Sequence, residues 1–166
     1  QSSYPASIKG VQDVEIRPKI SGFITKLCVR EGQTVKRGQL LFVIDNVTYA
    51  AAVRQAKAAV NSAKAQLNTA TLTYENSQKL FKNNVIGSYE LQSAKNSYES
   101  AKAALAQAQA NYVSAKQNLD FCYVTSPANG VVGDLPYEVG ALVSSSNAEP
   151  LTTVSDINSM QVYFSM

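Results

Sequence analysis

Histidine is absent from this 166-residue chain, which removes the commonest general base and the commonest transition-metal ligand together. The two cysteines, Cys28 and Cys122, stand far apart and match no metal or redox spacing. Any nucleophile–base pair would have to come from lysines and carboxylates, and the acids are scattered rather than clustered. Glu75 with Lys79, and Lys95 with Glu99, are spaced as i,i+4 surface pairs worth tenths of a kcal/mol. No glycine-rich phosphate loop is present. Lys36 and Arg37 fall in a turn and read as solvated charges. The residues able to do chemistry therefore predict no enzyme, no metal and no cofactor.

Charge narrows the partners further. Fifteen basic and 12 acidic residues leave a net charge of +3, and no basic run is interleaved with aromatics. A nucleic-acid role is not expected from that balance. The longest apolar run, Leu40 to Ile44, falls far short of the ~18 residues that span a bilayer. The chain opens at Gln1 without a charged n-region or apolar h-region, as in a cytosolic protein or one whose leader has been removed.

The pattern that organises the chain is a heptad. One run places large residues at Val53, Val60, Leu67, Tyr74 and Phe81, each of the first four followed three positions later by Ala56, Ala63, Ala70 or Ser77. A second run repeats the pattern at Leu91, Tyr98, Leu105, Tyr112 and Leu119, with Ala94, Ala101, Ala108 and Ala115 between them. A seven-residue repeat on both sides of a short break predicts an antiparallel coiled-coil hairpin over residues 46–120, with helices at about 46–83 and 88–120. At ~1.5 Å rise per residue these helices make a rod of roughly 50–57 Å. Asp45 or Asn46 caps the first helix, Gly87 is free to take positive φ in the turn, and Ser88 caps the second. Cys122 lies on the small-residue register of the second helix and reads as a small buried apolar residue. A Cys28–Cys122 disulfide is the alternative.

The segments flanking the hairpin resemble each other at one constant offset. Gly22, Ile24, Leu27, Gly32 and Val35 overlie Gly130, Val132, Leu135, Gly140 and Val143. Each copy ends in a short strand, Leu41 to Asp45 or Leu151 to Asp156. Glycine-punctuated apolar alternation predicts short half-buried strands. Neither half has enough apolar face to stand alone, so the two are expected to pack on each other. Residues Tyr4 to Val14 and Met160 to Met166 read as strands without a partner, as at a cut through a neighbouring domain.

These features together resemble the periplasmic adaptor family, the membrane fusion proteins of tripartite efflux pumps. The resemblance rests on Val14 to Ile24, Val29 to Asp45, Thr125 to Gly133 and Asp156 to Ser165 as well as the hairpin, and so covers nearly the whole chain. The last stretch is more similar to adaptors of resistance-nodulation-division pumps than to those of ABC exporters. The resemblance implies an α+β fold: a hairpin inserted between the halves (14–45 and 121–156) of a lipoyl-like β-sandwich, with stubs of a truncated β-barrel domain at 1–13 and 157–166. It implies an adaptor in the periplasm, attached to the inner membrane through a segment absent from this chain. Its partners would be an inner-membrane transporter, an outer-membrane channel and further copies of itself in a ring. Many members dock on the channel through an arginine, a leucine and a serine at the hairpin tip. The aligned residues here are Asn76, Leu80 and Gly87, with Ser88 adjacent, so only the leucine matches. The expected tip is therefore Asn76, Leu80, Val85, Ile86, Gly87 and Ser88. A lipoyl carrier would present a lysine at the turn after Asp45, and none is there. An adaptor of an ABC-type exporter is the rival reading within the family, and a coiled-coil scaffold without a transport role is the rival from another class.

Overall fold

The computed structural model describes residues 13–156, and the chain forms a mixed α+β structure. Of the two expected terminal strands, Tyr4 to Val14 and Met160 to Met166, only Asp13 and Val14 fall within the described residues, where they begin the first strand.

Strand β1 runs Asp13–Ile16, β2 Gly22–Leu27, β3 Thr34–Val35 and β4 Leu40–Ile44; helices α1 (Val47–Lys82) and α2 (Ser88–Asp120) follow. The chain then returns to strands with β5 Tyr123–Thr125, β6 Gly130–Val132, β7 Leu142–Val143 and β8 Thr152–Asp156. It divides into two compact units: residues 1–46 with 118–166, and residues 47–117.

The strand unit holds two four-stranded sheets, ordered β1-β8-β6-β3 and β5-β4-β2-β7. Exchanging each strand for its counterpart four places along the chain converts one order into the other. The internal repeat is therefore a structural pseudo-twofold. Its residues match as well. Gly22 pairs with Val143 while Val35 pairs with Gly130, so the 108-residue offset between the copies appears as a reciprocal ladder. The Gly32 amide donates to the Val132 carbonyl at 2.8 Å, and the Gly140 amide donates to the Ile24 carbonyl at 2.7 Å. Both glycines hold positive φ, 79° and 97°, a conformation that costs glycine little. Each sheet takes two strands from either side of the helices, so neither half completes a sheet alone.

Ile24, Val35, Leu41, Phe42, Ile44, Val132, Val143, Leu151 and Val154 are at most 2 % exposed. Burying a side chain of that size contributes about 1.5–3 kcal/mol. Leu41 and Phe42 are consecutive yet both buried, against the alternation of a regular strand. The reason is a register shift in the β4–β5 ladder between Leu40 and Phe42, where an extra residue turns a second side chain inward.

Cys28 and Cys122 are both free thiols. Cys122 is not on the second helix, which ends at Asp120. It occupies the turn before β5 and is fully buried, with Sγ 3.7 Å from the Asn118 carbonyl oxygen. Burial pushes its thiol pKa up, and the nearby Asp45 carboxylate adds to the rise.

In the helix unit, every α2 position from Leu91 to Ala115 with reduced exposure lies on the heptad: Leu91, Ala94, Tyr98, Ala101, Leu105, Ala108, Tyr112 and Ala115. On α1 the corresponding seam runs through Val53, Ala56, Val60, Ala63, Leu67, Ala70, Tyr74 and Ser77. Only Val60 and Ala63 are buried outright, because a two-helix ribbon has a single seam and no third layer to cover it. The rings of Tyr74 and Tyr98 stack 5.4 Å apart, and Lys57 Nζ lies 5.3 Å from the Tyr112 ring. Moving toward the start of α1 thus means moving toward the end of α2, so the helices run antiparallel. Among the described residues, neither Glu75–Lys79 nor Lys95–Glu99 closes to the 4.0 Å of an ion pair. The spacing allows these pairs; as exposed contacts they gain too little to hold two long side chains in place.

Candidate functional site

The turn between the helices is built by its backbone. The Asn84 amide donates to the Phe81 carbonyl at 3.0 Å, and the Val85 amide donates to the Leu80 carbonyl at 2.8 Å. These two bonds form a Schellman cap. The residue in the left-handed region is Asn84, at φ 62°, and not Gly87 as the sequence suggested. Asparagine tolerates that region better than most side chains, and the chain reverses before the glycine is reached. Gly87 instead supplies the first carbonyl of α2, accepting from the Leu91 amide at 3.2 Å. Gly87 is thus the N-cap, and Ser88 is already the first helical residue. Glu90 in that first turn faces the positive end of the helix dipole.

The side chains around the turn divide into two sets. Leu80 and Ile86 are half-buried, while Asn76, Gly87 and Ser88 are exposed. Val85 is 65% exposed. Phe81 stands at the next large position of the heptad but is 41% exposed, and its neighbour Leu80 is the half-buried one. The seam shifts by one residue there because the capping turn begins, and Leu80 takes the position whose carbonyl receives the Val85 amide.

Sequence reasoning missed Tyr89, the most exposed large apolar side chain among the described residues at 84%. It lies two positions before Leu91, off the seven-residue phase, and that mismatch was the available signal. Phe81, Val85 and Tyr89 therefore put three exposed apolar side chains within nine residues of one turn. Clustered exposure of that kind marks a contact surface more often than scattered exposure does.

The eight hairpin-core residues named from the sequence, Val53, Val60, Leu67 and Tyr74 on α1 with Leu91, Tyr98, Leu105 and Tyr112 on α2, are all half-buried or buried. In the strand unit, a groove of about 530 Å³ is lined by residues that include Arg17, Lys19, Phe121 and Tyr123. Lys19 Nζ lies 5.1 Å from the Phe121 ring there. Among the described residues no group of three or more His, Cys, Asp or Glu is placed to hold a metal ion. No described helix is long and apolar enough to cross a membrane.

Comparison with known proteins gives a consistent picture. The family model described as RND MFP, barrel-sandwich hybrid domain, matches residues 12–155. The multidrug efflux pump subunit AcrA of Escherichia coli K12 is 34% identical over 158 residues, 95% of this chain and 40% of that protein. The multidrug resistance protein MdtE of the same strain is 31% identical over 161 residues, 97% of this chain and 42% of that protein. The chain thus spans about two-fifths of the length of these relatives. A MacA–MexA chimera carrying the α-hairpin domain of Pseudomonas aeruginosa MexA superposes with a TM-score of 0.68 at 32% identity, covering 89% of this chain and 50% of the chimera. ZneB from Cupriavidus metallidurans superposes with a TM-score of 0.61 at 25% identity, covering 94% of this chain and 63% of that one.

Proposed function

Because this chain belongs to the membrane fusion proteins of RND-type efflux pumps, we propose that it is the hairpin-bearing part of a periplasmic adaptor. The adaptor bridges an inner-membrane drug/proton antiporter and an outer-membrane channel, and serves the export of drugs or other small molecules. In this reading the strand unit is a split lipoyl-like domain with the helix pair inserted as a coiled-coil hairpin. The hairpin tip docks on the channel through Asn76, Leu80, Val85, Ile86, Gly87 and Ser88, with Phe81 and Tyr89 added from the structure. Copies of the adaptor assemble as a ring. The role is mechanical coupling and requires no catalytic group.

The observation that carries this reading is the exposure of Val85 and Tyr89 at the end of a long heptad-paired rod. Exposed apolar surface at the turn suits docking, and the rod behind it transmits position. The test is efflux by the full-length protein carrying Leu80→Asp or Val85→Asp. Efflux is lost in both while helical content, read by circular dichroism, is unchanged. Normal efflux in both variants refutes docking through the tip.

A further inference from the structure

The helix unit distributes its charge unevenly around the rod. Residues 47–117 carry eight basic and three acidic residues. Five of the lysines share one heptad position, immediately beside the seam: Lys57 and Lys64 on α1, Lys95, Lys102 and Lys116 on α2. In an antiparallel pair these positions on the two helices lie on the same side of the seam. The geometry agrees: Lys57 Nζ and Lys116 Nζ stand 5.3 Å and 5.5 Å from the ring of one residue, Tyr112. Lys102 Nζ lies 6.0 Å from the Tyr98 ring. Lys64 and Lys95 follow at one heptad from Lys57 and Lys102. All five are exposed, and among the described residues none has an acid within 4.0 Å.

The other side of the seam is different in kind. Its row reads Ala59, Gln66 and Thr73 on α1 against Ser97, Ala104 and Asn111 on α2. Glu90, at the start of α2, is the one charge in that row. The rod therefore has a cationic side and a neutral side of small polar residues.

We propose that the lysine-bearing side is a lateral docking surface for an acidic helical protein, one that presents carboxylates at seven-residue spacing. Charge complementarity sets the sign of the partner, and the period sets its form. Lysines seven residues apart repeat every ~10.5 Å along the rod, the interval at which a second helix laid alongside repeats its own side chains. A second copy of this helix pair does not satisfy the surface, because its three acids, Glu75, Glu90 and Glu99, do not form such a row. The side offers little apolar area for insertion into a bilayer. This surface runs along the rod and is separate from the tip, so it goes beyond the adaptor reading and stands or falls independently.

The test measures binding of the 166-residue chain to a fluorescein-labelled four-heptad helical peptide with glutamate at every seventh residue. The comparison peptide has the same composition with the glutamates out of register. Exposed Lys→Gln changes leave the seam intact, and circular dichroism checks this. The Lys57→Gln, Lys64→Gln, Lys102→Gln, Lys116→Gln variant is expected to bind the in-register peptide about tenfold more weakly or worse, as loss of several complementary charges does. Lys79→Gln, off this side, changes binding by less than about twofold, as for an isolated rim charge. Equal binding by the quadruple variant, or equal binding of the two peptides, overturns the proposal. So does displacement of the in-register peptide by phosphatidylglycerol vesicles at matched charge, which would assign the surface to phosphate. The readout is peptide binding and not efflux, so its failure leaves tip docking untouched, and the reverse holds.

Discussion

Gly130 lies opposite Val35 on one antiparallel ladder, as Gly22 lies opposite Val143 on the other. The two glycines are equivalent in sequence, yet their surroundings differ. A Cβ built on Gly130 falls on the Ser155 carbonyl oxygen, with Val154 Cγ1 at 2.6 Å. A Cβ on Gly22 meets only the Ile44 Cγ2 methyl, at 2.6 Å.

The equivalence therefore breaks under substitution. Gly130→Ala is expected to cost about 3 kcal/mol, because backbone must move, and Gly22→Ala about 1 kcal/mol, where one methyl shifts. Urea denaturation of the two single variants measures the difference; equal costs would contradict the asymmetry.

The Tyr74–Tyr98 stack joins the helices between Val60 and the turn. A double-mutant cycle with Tyr74→Leu and Tyr98→Leu should give a coupling of about 0.5–1.5 kcal/mol beyond the lost area. Coupling near zero would mean the rings are neighbours without a specific interaction.

Asn84 holds the left-handed position of the cap. Asn84→Ala is expected to lower stability by about 1 kcal/mol, the cost of placing an ordinary side chain there, while Asn84→Gly is neutral or slightly stabilising. Thermal melts of the two variants should separate in that order.

Cys122 gives a pH prediction. Burial holds its thiol protonated to higher pH in the folded chain than in the unfolded one. The folded state then binds the extra proton, so this contribution is intact below the ordinary value of 9.0 and is lost as pH rises through the folded value. The alkaline arm of a stability–pH curve should be shallower in Cys122→Ala. A thiol reagent at neutral pH should label Cys28 ahead of Cys122 in the folded chain.

The heptad was legible because periodicity is a property of spacing alone: Leu91 to Ala115 can be counted without knowing what they touch. The strand repeat was legible for a similar reason, since Gly32 and Gly140 mark the same backbone turn in both copies. The turn was not. Asn83, Asn84 and Gly87 all suit a left-handed cap, and only the hydrogen bonds from Asn84 and Val85 decide among them. Cys122 shows the same limit: the heptad continues on paper past Asp120, but Tyr123 is drawn into a ladder opposite Val43. Which strands exchange partners between the halves is also a tertiary fact. The lysine row, by contrast, is fully written in the sequence: Lys57, Lys64, Lys95, Lys102 and Lys116 each follow a large heptad position by four residues, a regularity that neither the net charge of +3 nor the i,i+4 pairs within one helix express.

Among the described residues, four of the six strand ladders join segments from opposite sides of the helix pair. The entropic penalty for bringing such distant segments together grows with the logarithm of the intervening flexible length. Helices form within about a microsecond, far sooner than long-range strand pairing. Once α1 and α2 have zipped along their tyrosine- and alanine-lined groove, the span that must be searched shrinks from the whole loose insertion to the few residues at its open end. On these timescales the rod is expected to act as a folding aid as well, and weakening its seam should slow maturation of sheets whose own residues are unchanged.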